Sequence, residues 1–378
     1  MKSHLLPEGF RDSLPDLAAK EFDIISKFID FMSSNGYEII RPPLLEFENS
    51  LFFLSKNKRN DNSFRVLDPL SQKMMGVRSD MTSQVARIAC GALKKKERPL
   101  RLGYSGEILK VQNNQLNISR QFNQIGGEIV GIGNNFCEIE IISLIRLFLN
   151  ILKIKNYSLS LSMPSLFESV CNDFKLDKNQ RSFLREKYEN KNFLEINKIS
   201  PDIADVSKVL LECIGKLDVH IEKLKVFKFP RLTQIEINKF LNSLNALKKN
   251  IPEITINIDP IEIDKFGYHN GIMYKFYSKN FDELFNGGRY NVYDENCIGF
   301  SGTIENLIKE CSIEKKIKKK IFIPLSELNF NRIELIKNGF VLINETFDKN
   351  TKKIDHEKNA KKNNCQYFLV NSKVLKVN

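Results

Sequence analysis

Apolar positions in "DLAAKEFDIISKFIDFMSSN" (16–35) recur every three or four residues. Phe22, Ile25, Phe28 and Ile29 share one face and the pattern stops at Gly36, which predicts a helix. The next stretch, "YEIIRPPLLEFENSLFF", predicts a strand interrupted by Pro42 and Pro43. Two missing ladder donors place it at a sheet edge or across an interface. "FRVLDPLSQKMMGVRSD" predicts two strands around a turn at Pro69–Gln72. Thr82 is a good cap for a helix through "SQVARIACGALKKK", with Val85, Ile88, Ala89 and Ala92 on one side.

The segment "EILKVQNNQLNISRQFNQIGGEIVG" (107–131) switches to period two. Leu109 and Val111 alternate with Lys110 and Gln112; Ile125 and Ile129 alternate with Gln124, Gly126 and Glu128. Side chains of a strand point to opposite faces in turn, so a hairpin is predicted with one apolar and one polar face. The polar face gathers a cation, a carboxylate, two amides and a glycine. A solvated face accounts for such a pattern as readily as a binding site does.

Farther on, "NNFCEIEIISLIRLFLNIL" predicts a helix and "YSLSLSM" a strand. Residues 165–254 are helical and polar-patterned, without strand alternation, and read as a helical insertion. Strands return at "ITINIDP", "GIMYKFYS" and "CIGFSGT", ahead of a helix near 303–313. After a lysine-rich linker, "IFIPL", a helix, "GFVLINET", a helix and "CQYFLVN" predict a small C-terminal α/β unit over 320–378. The fold class expected is α+β: a mainly antiparallel sheet flanked by helices, from 1–164 and 255–313, split by the insertion.

Composition narrows the function classes. The chain has 378 residues, 42% hydrophobic and 28% charged, a soluble globular balance with room for two or three domains. No apolar run reaches the length a membrane-spanning helix needs. The start, "MKSHLLPEGFRDSLPDL", has charge and proline where a signal peptide carries its apolar segment, so a cytoplasmic protein is expected. Seven cysteines, no CxxC pair and four histidines argue against a disulfide framework and an ordinary zinc site. The formal charge of +12 invites a nucleic-acid reading. Much of it is concentrated in "KKKER" (94–98) and "EKKIKKK" (314–320), which read as solvated lysine surface.

Taken in order, several segments resemble the class II aminoacyl-tRNA synthetase fold, and within it the histidyl-tRNA synthetase branch. They are "LPEGFRD", "GYEIIRPPLLE", "GVRSDMTSQVAR", the 107–131 hairpin, "GYHNGIMYKFY", "NGGRY" and "IGFSGTIENLI". The resemblance implies a pocket for free L-histidine. Asp80, Thr82 and Gln124 fall where the family holds the ammonium, and Glu128 with Tyr268 and His269 where it holds the imidazole. Lys110 stands where a carboxylate-binding arginine is expected, and Gly126 would leave room for a ligand against the strand.

Departures from the family gather at its nucleotide end. Lys110 and Gln112 replace an arginine on the α-phosphate and a glutamate on the adenine, Ile118 replaces a loop arginine, and Glu305–Asn306 replaces Glu-Arg. A fourth arginine, expected near 264, is Asp264 in the simplest alignment. Lysine is a point charge where arginine is a two-pronged donor. This combination resembles the regulatory subunits of ATP phosphoribosyltransferase, paralogues of the synthetase that catalyse nothing alone. That family implies no cofactor and no tRNA. It implies a dimer, assembly with a short-form catalytic subunit into a hetero-octamer of four and four, and feedback inhibition by histidine. A divergent but active histidyl-tRNA synthetase, or a histidine- or RNA-sensing module with another partner, are the alternatives.

Overall fold

The computed structural model describes residues 5–54, 63–111, 118–131, 136–193, 195–263, 269–312, 319–327, 330–345 and 356–377. The chain forms two compact units, Met1–Ser312 and Ile313–Asn378.

The first unit opens with α1 (Pro15–Ser34), β1 (Glu38–Ile40), β2 (Leu45–Phe47), α2 (Glu48–Leu51), β3 (Arg65–Leu67), β4 (Met74–Val77) and α3 (Thr82–Cys90). The long hairpin is β5 (Leu100–Leu109) and β6 (Gln121–Val130), followed by α4 (Cys137–Ile151) and β7 (Tyr157–Ser162). A helical stretch follows: α5 (Ser165–Asp173), α6 (Lys178–Glu189), α7 (Pro201–Glu212), the two-residue β8 (Gly215–Lys216), α8 (Leu217–Val226) and α9 (Arg231–Asn250). The unit closes with β9 (Ile256–Ile258), β10 (His269–Ser278), β11 (Glu283–Val292), β12 (Glu295–Thr303) and α10 (Ile304–Glu310).

Nine strands form one sheet in the order β1-β5-β6-β12-β11-β10-β7-β9-β8, and β2, β4 and β3 form a separate antiparallel sheet. Most pairings in the large sheet are antiparallel, with β1–β5 and β7–β9 parallel. This is the mixed, helix-flanked sheet that the alternation predicts.

Helix α1 explains one cover of the sheet. Its buried face is Glu21, Ile24, Phe28 and Met32, and Phe28 meets Phe148 edge-on at 5.1 Å between centroids. Phe22, expected on that face, is 72% exposed; the i, i+4, i+8 row through Ile24, Phe28 and Met32 takes its place. On the opposite face, Met81, Val85, Ala86 and Ala89 of the α3 region pack with Leu102, Tyr104, Ile108 and Phe122 of the hairpin. Both faces of β6 are therefore covered, and its polar row is enclosed rather than solvated.

Several elements differ from the sequence reading, among them β5, which begins at Leu100 although the first hairpin strand was expected from Glu107. β11, at the middle of the sheet, lies where only the "NGGRY" motif stood out; Gly287 and Gly288 break its alternation, and the space they leave holds Tyr274 and His269. β8, inside the stretch read as a mainly helical insertion, pairs with β9 at the sheet's edge.

The second unit carries β13 (Lys319–Ile323), α11 (Arg332–Lys337), β14 (Phe340–Asn344), α12 (His356–Lys362), β15 (Tyr367–Val370) and β16 (Lys373–Lys376). Its sheet runs β14-β13-β15-β16, with β16 added antiparallel at one edge. Ile321, Ile323, Leu335 and Leu369 make the core on one side, and Phe322, Ala360, Cys365 and Phe368 on the other.

Candidate functional site

The enclosed polar row is set by register. Across the hairpin Leu102 faces Glu128, Tyr104 faces Gly126 and Gly106 faces Gln124; toward β12, Glu128 pairs with Gly299, Gly126 with Ser301 and Gln124 with Thr303. Period two then brings Gln124, Glu128, Gly299 and Ser301 to one face. β11 extends that face through Asn286, opposite Ser301, and Gly288, opposite Gly299. A small cleft opens on this face, lined by Thr82, Glu128, His269, Asn286, Tyr290 and Ser301 among others.

One end of the row is a carboxylate–amide cluster. Asp80 Oδ1 accepts the backbone N–H of Thr82 at 2.8 Å and its Oδ2 accepts Gln124 Nε2 at 2.7 Å. Gln124 Oε1 in turn accepts the backbone N–H of Met81 at 2.9 Å. Thr82 is the first residue of α3, not its cap. Asp80 satisfies the free N–H at the helix start, which leaves the Thr82 hydroxyl to turn toward Glu128. A carboxylate has about four acceptor positions, so Asp80 keeps capacity for a ligand's N–H donors.

Glu128 lies at the other end, 1% exposed. The Tyr290 hydroxyl donates to Oε2 at 2.8 Å and the Tyr104 hydroxyl to Oε1 at 3.3 Å. Burial pushes the carboxyl up to about 8; the Tyr290 hydroxyl pulls it back, the Asp80 charge adds to the rise, and the Thr82 and Tyr104 hydroxyls oppose it. At neutral pH Glu128 is therefore mainly a neutral acid, able to donate a hydrogen bond. An ionised carboxylate would cost several kcal/mol at this depth. Gly299 is required beneath it, because a Cβ there would overlap the Glu128 carboxyl.

Of the residues singled out by sequence, Asp80, Thr82, Gln124 and Glu128 form this connected group and His269 lines the same cleft. Lys110 stands apart. Its backbone N–H bonds the Arg120 carbonyl and its ammonium sits over the Phe122 ring at 5.6 Å. Phe122 is two residues from Gln124 on the same strand, about 7 Å at strand rise, and six from Glu128. Tyr268, Gln112 and Asp264 lie outside the described residues. The room expected at Gly126 is taken: a Cβ there would meet the Tyr104 hydroxyl and the Phe300 carbonyl. Sequence reasoning missed Tyr104, Asn286, Tyr290 and Ser301. The motifs "NGGRY" and "IGFSGT" carried a signal for the last three; nothing marked Tyr104.

Beyond the cleft, cations have other partners. The Arg120 guanidinium stacks on Phe64 at 4.6 Å and Phe10 at 5.5 Å, and Arg120 Nη1 donates to the Glu8 carbonyl at 3.4 Å. Asn306, where an arginine was expected, donates to the Glu283 carbonyl at 2.9 Å. Among the described residues no cluster of three or more His, Cys, Asp or Glu is placed to hold a metal ion.

A large, mainly antiparallel sheet with an enclosed polar cleft on one face is the architecture of a class II synthetase-like protein of the histidyl branch. Residues 9–307 match the histidyl-tRNA synthetase family. The solved structure described as an ATP phosphoribosyltransferase regulatory subunit/histidyl-tRNA synthetase from Bacillus halodurans superposes with a TM-score of 0.80 over 98% of each chain, at 19% identity. The ATP phosphoribosyltransferase regulatory subunit of Paramagnetospirillum magneticum is 32% identical over 76% of this chain and 76% of the relative. That of Gluconobacter oxydans is 31% identical over 85% of this chain and 84% of the relative. The chain belongs to the family of ATP phosphoribosyltransferase regulatory subunits, histidyl-tRNA synthetase-like proteins with a regulatory role in histidine biosynthesis.

Proposed function

We propose that this protein is a cytoplasmic, non-catalytic subunit that binds free L-histidine in the cleft and transmits its presence to a short-form ATP phosphoribosyltransferase catalytic subunit. The observation that carries the reading is an asymmetry. Groups suited to an amino acid interlock, whereas the cations a nucleotide would need are replaced or committed elsewhere. Losing one preorganised contact to developing charge costs about 2.7–4 kcal/mol in an enzyme, and several losses together leave no route to an adenylate. ATP–pyrophosphate exchange with L-histidine is the test. No exchange above the blank is expected; measurable exchange would make the chain a divergent synthetase.

Histidine presents an ammonium, a carboxylate and an imidazole. In this reading the ammonium meets Asp80, Thr82 and Gln124, and the imidazole meets Glu128 with His269 and Tyr268. A neutral Glu128 donates its proton toward an unprotonated imidazole nitrogen, so ligand and acid share one proton and the desolvated pair carries no net charge. The Tyr290 and Thr82 hydroxyls hold the carboxyl in place while that proton shifts.

Regulation follows by linkage. Histidine inhibits distant catalytic sites only to the extent that it binds the inhibited arrangement more tightly, and a coupling of about 1–3 kcal/mol gives roughly 5- to 150-fold control. The family's names support a catalytic partner chain. The assembly proposed is a hetero-octamer of four and four chains built on dimers, without tRNA.

A further inference from the structure

A histidine in the cleft would bring a carboxylate, and the Lys110 ammonium is held over the Phe122 ring instead of lining the cleft. We infer that Asn286 and Ser301 hold the ligand's carboxylate, an assignment that rests on the histidine-binding reading above.

The argument is one of register. Gly126 lies midway between Gln124, at the ammonium end, and Glu128, at the imidazole end; its partner on β12 is Ser301, and the partner of Ser301 on β11 is Asn286. Tyr104 fills the space over Gly126, so the first side chains of that row to reach the cleft are Ser301 and Asn286. An α-carboxylate is attached to the carbon that bears the ammonium, so a ligand spanning Gln124 to Glu128 presents it in this row.

Both side chains are oriented as donors. Asn286 Nδ2 donates to Glu283 Oε1 at 2.5 Å, which fixes the amide and leaves its second N–H for a ligand. Ser301 Oγ lies 3.5 Å from Asn286 Oδ1, at the outer limit of a hydrogen bond, so its hydroxyl turns to a better acceptor at little cost. Lys275 comes next in the row, opposite Asn286, but it is paired with Glu262. The carboxylate is thus met by neutral donors, with the Glu283 carboxylate and the Lys275–Glu262 ion pair behind them.

Calorimetry on the full chain with L-histidine and with histamine, which lacks the carboxylate, separates the parts. Asn286→Ala and Ser301→Ala should each weaken L-histidine binding about tenfold, the scale of a hydrogen bond to a charged group, and leave histamine binding unchanged. Asn286→Asp, close in shape and so expected to fold, sets a negative charge against the carboxylate and should weaken histidine alone. Equal losses for both ligands would overturn the inference. So would a Lys110→Ala or Lys275→Ala variant that erases the preference for histidine while Asn286→Ala retains it. Wild-type protein that binds histamine and histidine equally well would also overturn it. Failure of wild-type protein to bind either ligand would overturn the histidine reading itself.

Discussion

Glu128 concentrates the chemistry of the site in one buried side chain. Its native carboxyl titrates near 8 against an ordinary value of 4.5, so folding takes up a proton between those limits. The unfolded chain holds fewer protons than the native one across that window, and stability falls as pH rises through it, by up to about 1.4 kcal/mol per pH unit from this group. Glu128→Gln removes that slope. Melting temperatures of the two proteins, compared from pH 5 to 8.5, should diverge in the variant's favour as pH increases; parallel curves would place an ordinary carboxyl at this position. Glu128→Ala should weaken L-histidine binding by about 1–3 kcal/mol, read by calorimetry, because it deletes a desolvated partner. Glu128 and Gln124 were legible in the sequence because period-two alternation put two polar groups on one strand face. Thr82 was legible from its residue type only as a helix cap, and as a site residue only through the family resemblance. Its hydroxyl turns to Glu128 while Asp80 takes its backbone N–H, an arrangement that composition does not encode.

At the scale of elements, the glycine-bearing strands decide what the site can be. β12 needs Gly299 where it passes under Glu128, since any side chain would occupy the carboxyl's place. Gly299→Ala should therefore cost about 1–3 kcal/mol of stability, the usual range for overpacking, and displace Glu128 from the cleft. Chemical denaturation together with histidine calorimetry checks both effects. A variant as stable as wild type with unchanged affinity would show that β12 yields there at no cost. The same glycines explain why β11 was hard to read. A central strand ordinarily announces itself by alternation, but "ELFNGGRYNV" gives up two side chains to make room for Tyr274 and His269. By contrast α4 and β10 were legible from their apolar periodicity, and β6 from its alternation despite Gly126 and Gly127, whereas β5 was read only from Glu107 although it begins at Leu100. Helix α1 was found but rotated. Phe22 satisfied the helical spacing, yet the face actually used runs through Ile24, Phe28 and Met32.

For the whole molecule, the class of fold came from the order of several weak motifs, none decisive alone, and the first unit carries all of those that lie among the described residues. The net charge of +12 decided little. The partner was not legible in any patch of residues; family membership supports it. The account joins a cleft that fits an amino acid to control of a distant reaction, and reconstitution tests that join. The short catalytic chain is assayed with and without this protein, then with L-histidine added. The account predicts that the protein raises the catalytic rate and that histidine lowers it again by 5- to 150-fold, with Glu128→Ala shifting the inhibition to higher histidine concentration. A catalytic chain indifferent to this protein, or histidine inhibition unchanged by Glu128→Ala, would contradict it.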